Sequence, residues 1–145
     1  MNMLTLKIPG KPIAKKRPRF ARRGTFTVTY NDQETEEGRF ILEVKQQLDG
    51  HTLMTGPIRM VVNFYFQRPK SHFGTGRNAG ILKPSAPAYH ICKPDLDNLL
   101  KFLKDCLNNF VWKDDSQVFE LTAMKRYSAT EKTIAYINEI QETNP

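Results

Sequence analysis

Every second residue is apolar in three segments of this sequence, and this pattern constrains the fold more than any other feature. The segments are residues 4–8, 26–30 and 58–66. The longest of them places Ile58, Met60, Val62, Phe64 and Phe66 at alternate positions. A period of two is typical of strands that bury one face. The sequence therefore predicts three half-buried strands.

Two further segments have the spacing of amphipathic helices. In the first, apolar residues recur three and four positions apart from Phe40 to Leu48, and Asn31 or Asp32 can cap its N-terminus. The second begins near Asp95, after a proline, and carries one broad apolar face. This face consists of Leu96, Leu99, Leu100, Leu103, Cys106, Leu107 and Phe110. Each helix thus has a face to bury.

Two last strands are predicted at residues 118–125 and 132–140. A polar turn near Ser128 joins them, as in an antiparallel hairpin. The resulting order of elements is ββαβαββ. We therefore expect one α/β domain of the α+β type over residues 1–145, with two helices and a mixed sheet of about five strands.

Two segments lack a regular pattern. Residues 9–23 combine Pro12 and Pro18 with many lysines and arginines, so we expect an extended basic loop there. Residues 67–94 contain four prolines and three glycines. An irregular segment of this length inside a compact domain is usually functional or disordered. We expect a mobile loop.

The composition indicates the compartment. No apolar run is long enough to cross a bilayer, and the N-terminus lacks the pattern of a secretory signal. Cys92 and Cys106 are not spaced as a zinc site or a disulfide framework, which is typical of reduced intracellular thiols. We expect a cytoplasmic protein that does not contact a membrane and in which both cysteines are structural.

The positive charge is concentrated in two acid-free stretches. The net charge is +7, with eight Lys or Arg in residues 1–30 and six in residues 50–94. Such stretches suit binding to a polyanion. Each phosphate that a lysine or arginine neutralises releases condensed counterions, and this release strengthens binding. Nucleic acid is the leading candidate partner, although basic charge alone can also serve as a solvated surface.

Four aspartates lie at the two ends of the predicted second helix. Asp95 and Asp97 are at its start, and Asp114 and Asp115 lie just beyond its end. The first pair can cap the helix, and the second can form an ordinary turn. Together they can hold a hard cation such as Mg2+ if the chain returns along a neighbouring strand. Lys101 can stabilise phosphoryl charge or form a salt bridge, and its spacing alone favours the salt bridge.

The sequence contains no motif for several other catalytic chemistries. It lacks a phosphate-binding P-loop, an HExxH zinc motif and a GxSxG nucleophile elbow. His51, His72 and His90 are scattered, and only His90 is close to the aspartates along the chain. The carboxylates are therefore the strongest candidate catalytic groups.

Residues 90–101, 105–107 and 112–118 closely resemble the RusA family of Holliday junction resolvases. The resemblance extends to the first strand and the basic residues that follow it. It implies a RusA-like fold and a homodimeric, Mg2+-dependent endonuclease, with Mn2+ as an alternative cofactor. Such an enzyme binds four-way DNA junctions and makes paired nicks in strands of like polarity.

The resemblance also implies roles for individual residues. Asp95, Asp97, Asp115 and Lys101 are expected to be catalytic, and all four aspartates, including Asp114, are expected to hold the metal. The expected DNA-binding residues are Lys15, Lys16, Arg17, Arg19, Lys93 and Lys125. The loop before Asp95 is longer than in the best-known members, which leaves the preferred substrate and cleavage sequence open.

Two alternatives stay open. The chain can be a binding module for branched nucleic acid in which the acids are structural, or a nuclease for other branched DNA or RNA. Carboxylates that face phosphates hinder pure binding, which favours cleavage. We therefore expect a junction-resolving nuclease that acts in DNA recombination or repair.

Overall fold

The computed structural model describes residues 2–17, 19–30 and 33–142 of the chain. Within these residues, six strands and two α-helices follow one another along the sequence. They are β1 (Asn2–Pro9), β2 (Arg19–Arg23), β3 (Phe26–Tyr30), α1 (Glu34–Gln46), β4 (Ile58–Gln67), α2 (Leu96–Leu107), β5 (Val118–Ser128) and β6 (Lys132–Glu139). The α+β class predicted from the sequence is confirmed.

The main sheet is mixed, as predicted. Among the described residues its strand order is β1-β6-β4-β5. β6 pairs antiparallel with both β1 and β4, whereas β4 and β5 are parallel. Because parallel neighbours need a crossover connection, α2 links β4 to β5 across the face of the sheet.

The predicted hairpin of β5 and β6 is wrong, because β4 lies between these two strands. Phe64 of β4 is opposite Lys125 on one side and Thr133 on the other. The connection at residues 129–131 therefore passes the end of β4. A turn signal marks where the chain reverses but does not say which strand becomes the neighbour. Burial decides this, since alternate side chains of β4 are buried and favour the centre of the sheet.

The predicted basic loop at residues 9–23 is wrong over its last third. Residues 19–23 form β2, which pairs with β3 in a separate two-stranded sheet. In the turn between these strands Gly24 has a φ of 62°, which side-chain-bearing residues rarely adopt. Prolines prevent regular pairing only in their own vicinity, so the prediction extended the loop too far.

Both predicted helices are present, with small differences at their ends. α1 follows Gln33 as its N-cap residue, and the predicted caps Asn31 and Asp32 lie outside the described residues. α2 ends at Leu107, and two residues later Asn109 has a φ of 67°. A residue in this conformation cannot continue a right-handed helix.

The segment between β4 and α2 contains more structure than the predicted mobile loop. It forms two short 3-10 helices, Lys70–His72 and Gly76–Asn78. Backbone bridges pair Phe73 with Leu82 and Tyr89 with Arg126 of β5. The second bridge brings the end of the segment onto the outer edge of β5, close to the start of α2. Whether the segment moves stays a prediction.

Both helices contribute to one hydrophobic core with the main sheet. Phe40 of α1 and Phe102 of α2 meet edge to face inside it, with ring centroids 5.5 Å apart. Cys106 is buried there, as predicted, and burial raises the pKa of its thiol to about 12. Cys92 is exposed. Neither helix in the described part of the chain is long and apolar enough to cross a bilayer.

Trp112 ties the end of α2 to the core. Its side chain is fully buried, and its indole N–H donates a 2.7 Å hydrogen bond to Asn108 Oδ1. We expect Trp112→Phe to lower the free energy of unfolding by about 1–3 kcal/mol, because it removes this bond and leaves a cavity. Urea denaturation measures the loss. Phe119→Leu, at an exposed position, should change stability by less than about 0.5 kcal/mol, and equal losses would contradict the assignment.

Candidate active site

The start of α2 presents two carboxylates to solvent. Asp95 occupies the N-cap position, yet its side chain accepts no capping hydrogen bond from the described residues. Asp97 lies in the first turn and accepts a 3.0 Å hydrogen bond from the backbone N–H of Asn98. The positive end of the helix dipole favours negative charge here. Capping does not account for Asp95, so its carboxylate is available to a ligand.

These carboxylates line an open cavity of about 500 Å3, called here the acidic cavity. Lys101 and Asp105 also line it. They follow Asp97 at intervals of four residues, which places all three on one face of α2. Basic residues that follow β1 line the same cavity. These residues, called here the basic arm, are Lys15, Lys16 and Arg17. Asp95, Asp97 and Lys101 are thus brought together, and half of the predicted DNA-binding set faces them.

Backbone hydrogen bonds hold the basic arm in place. The Gln33 side chain is fully buried, accepts a 2.6 Å hydrogen bond from Lys16 N–H and donates a 2.7 Å bond to the Ala14 carbonyl. The Lys15 N–H donates a 2.9 Å bond to the carbonyl of Asn98 in α2. A buried amide that satisfies two backbone groups fixes a segment that has no secondary structure of its own. The arm is therefore docked on the helix that carries the aspartates.

Ion pairs give the basic arm a second set of contacts. Lys15 Nζ lies 3.4 Å from Glu37 and 3.5 Å from Asp105, and Lys16 Nζ lies 3.1 Å from Glu36. Burial lowers the pKa of Lys15, but the two carboxylates outweigh this and leave the pKa raised. Lys15 is therefore charged at neutral pH. Each exposed pair is worth little by itself, about 0–1 kcal/mol.

The second pair of aspartates lies in a turn before β5. The Asp114 carboxylate accepts a 3.1 Å hydrogen bond from Ser116 N–H, and the backbone N–H of Asp114 donates a 2.8 Å bond to Gln117 Oε1. This capping box opens the short 3-10 helix Asp115–Gln117. The hydrogen bonds from Ser116 lower the pKa of Asp114. A structural turn therefore accounts for Asp114, while Asp115 is half-buried and stays a candidate ligand.

The two pairs of aspartates lie at opposite ends of α2. At 1.5 Å per residue, the helix from Leu96 to Leu107 is about 18 Å long. Asp95 precedes it, and Asp114 and Asp115 follow its other end. In the part of the chain that the structure describes, no three His, Cys, Asp or Glu side chains are close enough to share a metal ion. A single chain does not bring all four aspartates together.

The remaining predicted DNA-binding residues have different surroundings. The Lys125 ammonium donates 2.7 Å hydrogen bonds to the carbonyls of Cys92 and Pro94, so it fixes the segment that leads into Asp95. Lys93 is exposed and lines a second cavity, whose lining contains none of the four aspartates. Arg19 is in β2, and its side chain is outside the described part of the structure. The DNA-binding roles of these residues stay predictions.

The donor set at the start of α2 fits a hard divalent cation. Asp95 and Asp97 offer exposed carboxylate oxygens, which Mg2+ prefers as ligands. Mg2+ is commonly held by one or two carboxylates together with water and substrate phosphates, so it does not require a complete cage of protein ligands. The residues present therefore fit such an ion.

The fold and the site indicate a class of protein that acts on phosphodiesters. Exposed carboxylates beside a basic arm suit this chemistry. Comparison with known proteins gives the family. The sequence model of endodeoxyribonuclease RusA matches residues 9–138. The uncharacterized protein YqaN of Bacillus subtilis (strain 168) is 32% identical over 146 residues, which span 97% of this chain and 99% of the relative. The chain belongs to the RusA endodeoxyribonuclease family, which implies Holliday junction resolution.

Several residues around the site are not among those predicted from the sequence. Asp105 lines the acidic cavity, and its position eight residues after Asp97 on the same helical face could have revealed it. Gln33 anchors the basic arm, but a single glutamine gives no sequence signal. Lys11 and Arg68 line the second cavity with Lys93, and they are brought together only by the tertiary fold.

Proposed function

We propose that this protein is a homodimeric, Mg2+-dependent endonuclease that resolves four-way DNA junctions by paired nicks, with Mn2+ as an alternative metal. One observation carries the proposal: Asp95 and Asp97 line the same cavity as the basic arm. Cations bind the DNA backbone, and carboxylates placed among them serve a metal rather than the DNA itself. A cytoplasmic location also stays a prediction.

The residues of the acidic cavity have separate tasks in this proposal. Asp95 and Asp97 would hold the metal ion, which when bound would lower the pKa of the attacking water and neutralise charge on the reacting phosphate. Lys101 directs its ammonium at the phosphoryl oxygens, where negative charge grows in the transition state. The basic arm holds neighbouring phosphates and so orients the strand.

The position of the second pair supports a dimer. Asp114 and Asp115 can join Asp95 and Asp97 in one metal site only if two chains contribute, since one chain keeps the pairs at opposite ends of α2. In a two-fold symmetric dimer, each chain would offer its second pair to the other, which creates two equal sites. Two sites related by symmetry suit two nicks in strands of like polarity.

Substrate choice can be tested by binding without cleavage. Purified protein in EDTA is mixed with a four-way junction, a fork, a linear duplex and an RNA duplex of matched length. We expect the junction to bind most tightly at a fixed salt concentration, because salt changes every affinity. If the linear duplex binds as tightly as the junction, branched DNA is not the preferred substrate.

The basic arm should set the salt dependence of binding. We expect replacement of Lys15, Lys16 and Arg17 by Ala to weaken junction binding and to reduce the slope of log K against log salt by about two to three units, since each phosphate contact contributes about 0.9. Gel-shift titrations over a range of salt measure this slope.

A control variant removes the same charge elsewhere. It replaces Lys70, Arg77 and Lys83, which are exposed in the segment before α2, by Ala. We expect a smaller change in slope than for the basic arm. Equal changes in both variants would mean that net charge, rather than the docked arm, determines binding.

A further inference from the structure

A second cavity, with a mainly basic lining, includes a residue of the segment that leads into Asp95. Its volume is about 370 Å3, and Lys93 lines it, whereas Asp95, two residues later, lines the acidic cavity. Two residues of extended chain span at most about 7 Å. The cations Lys11, Arg68 and Lys93 line the second cavity, together with His90 and one carboxylate, Glu131. Positive charge therefore exceeds negative charge around it.

His90 packs into the wall of this cavity. Its ring stacks on Phe66 with centroids 4.0 Å apart and packs against Tyr127 at 5.1 Å. Its backbone N–H donates a 3.1 Å bond to the Lys125 carbonyl. His90 is only 9% exposed, and within the described chain its Nδ1 has no hydrogen-bond partner. A buried polar atom of this kind points to a ligand or an ordered water.

The electrostatics favour an anion over a cation as that ligand. Burial lowers the pKa of His90, and the ammonium groups of Lys125 and Lys11 lower it further. The ring is therefore neutral at neutral pH and can donate one N–H bond. Arg68 donates one bond to the Pro87 carbonyl and keeps other guanidinium donors available. Several donors that converge on one space are what a phosphate requires.

We propose that this second cavity binds a backbone phosphate of the same DNA strand whose reacting phosphate lies in the acidic cavity. Lys11, Arg68, Lys93 and His90 form the subsite. The inference rests on the proposed nuclease function, because that function supplies the strand. The short distance between Lys93 and Asp95 means that the subsite fixes a nearby nucleotide and so helps to set the position of the cut.

Proton NMR of the full chain tests the subsite directly. Inorganic phosphate is titrated at constant ionic strength, without Mg2+, while the ring protons of His51, His72 and His90 are followed. We expect the His90 signal to shift and saturate and its pKa to rise, because a bound anion stabilises the protonated ring. His51, whose ring contacts the Val111 carbonyl at the far end of α2, should not move. A His90 signal that phosphate leaves unchanged overturns the subsite.

Variants identify the cations involved. Lys11→Ala combined with Lys93→Ala should weaken the phosphate effect on His90 by about tenfold or more. Lys7→Ala removes the same type of charge from an exposed position on β1 and should leave the effect intact. Equal losses in the two proteins overturn the assignment, because a general field effect would then explain the signal.

Junction binding separates this inference from the proposed function. In the double variant, the salt slope for junction binding should fall by about two units. A junction that is bound and nicked with an unchanged slope overturns the subsite and leaves the nuclease intact. A His90 that responds to phosphate in a protein that binds no DNA overturns the nucleic-acid assignment together with the proposed function.

Discussion

Asp97→Asn is expected to lower the rate of junction nicking by about a thousandfold or more, a loss of about 4 kcal/mol of transition-state stabilisation. Asparagine has the same shape and keeps an oxygen for the Asn98 N–H, but it removes the charge that holds the metal. Junction binding should be unchanged or tighter, because one negative charge no longer faces the DNA. Single-turnover nicking and gel shifts in EDTA measure the two effects.

Asp105→Asn is the matched control for this variant. Asp105 lines the same cavity and lies on the same face of α2, but it is paired with Lys15 and is not a predicted metal ligand. We expect nicking to change by less than about tenfold, a difference of about 1.4 kcal/mol in the barrier. Nicking that survives both Asp97→Asn and EDTA would contradict a metal site at Asp95 and Asp97.

Two inactive variants are expected to regain activity when their chains are mixed. In a mixed dimer of Asp97→Asn and Asp115→Asn chains, one site combines both substitutions and the other has neither. About half of the dimers are mixed if equal amounts of the chains exchange freely, and each has one intact site. We therefore expect about a quarter of the wild-type nicking, as single rather than paired nicks.

The control for mixing uses Asp95→Asn in place of Asp115→Asn. Both of its substitutions lie at the same end of α2, so each site of a mixed dimer has one of them and no activity should return. Nicking that returns when Asp97→Asn chains are mixed with Asp115→Asn chains, but not when they are mixed with Asp95→Asn chains, would support a site that two chains share. If neither mixture recovers although mixed dimers form, the second pair of aspartates does not complete the site across the dimer.

The sequence predicted those parts of the fold that depend on local patterns. α2 was located by the helical spacing of Leu99, Leu103 and Cys106, and β4 by its alternating apolar residues. The partners of a strand depend on long-range packing, which local patterns do not contain. Local patterns therefore do not indicate that β4 separates β5 from β6, or that residues 19–23 pair with β3.

The same distinction applies to the site. Asp97 and Lys101 are four residues apart on one face of α2, and Asp95 is the N-cap residue of the same helix, so local sequence is enough to place the three near one another. Asp114 and Asp115 follow the helix, and their distance from the first pair depends on its length and direction. The contact of the basic arm with this cavity depends on Gln33, whose partners are set only in the folded chain.

The most direct test of the nuclease proposal is the cleavage of a synthetic four-way junction with each strand end-labelled in turn. With Mg2+, purified wild-type protein should nick two strands of like polarity at symmetric positions and leave a linear duplex of the same sequence intact. EDTA should abolish both nicks. A junction that the protein binds but never cuts, with Mg2+ or with Mn2+, would contradict the proposal and indicate a binding module.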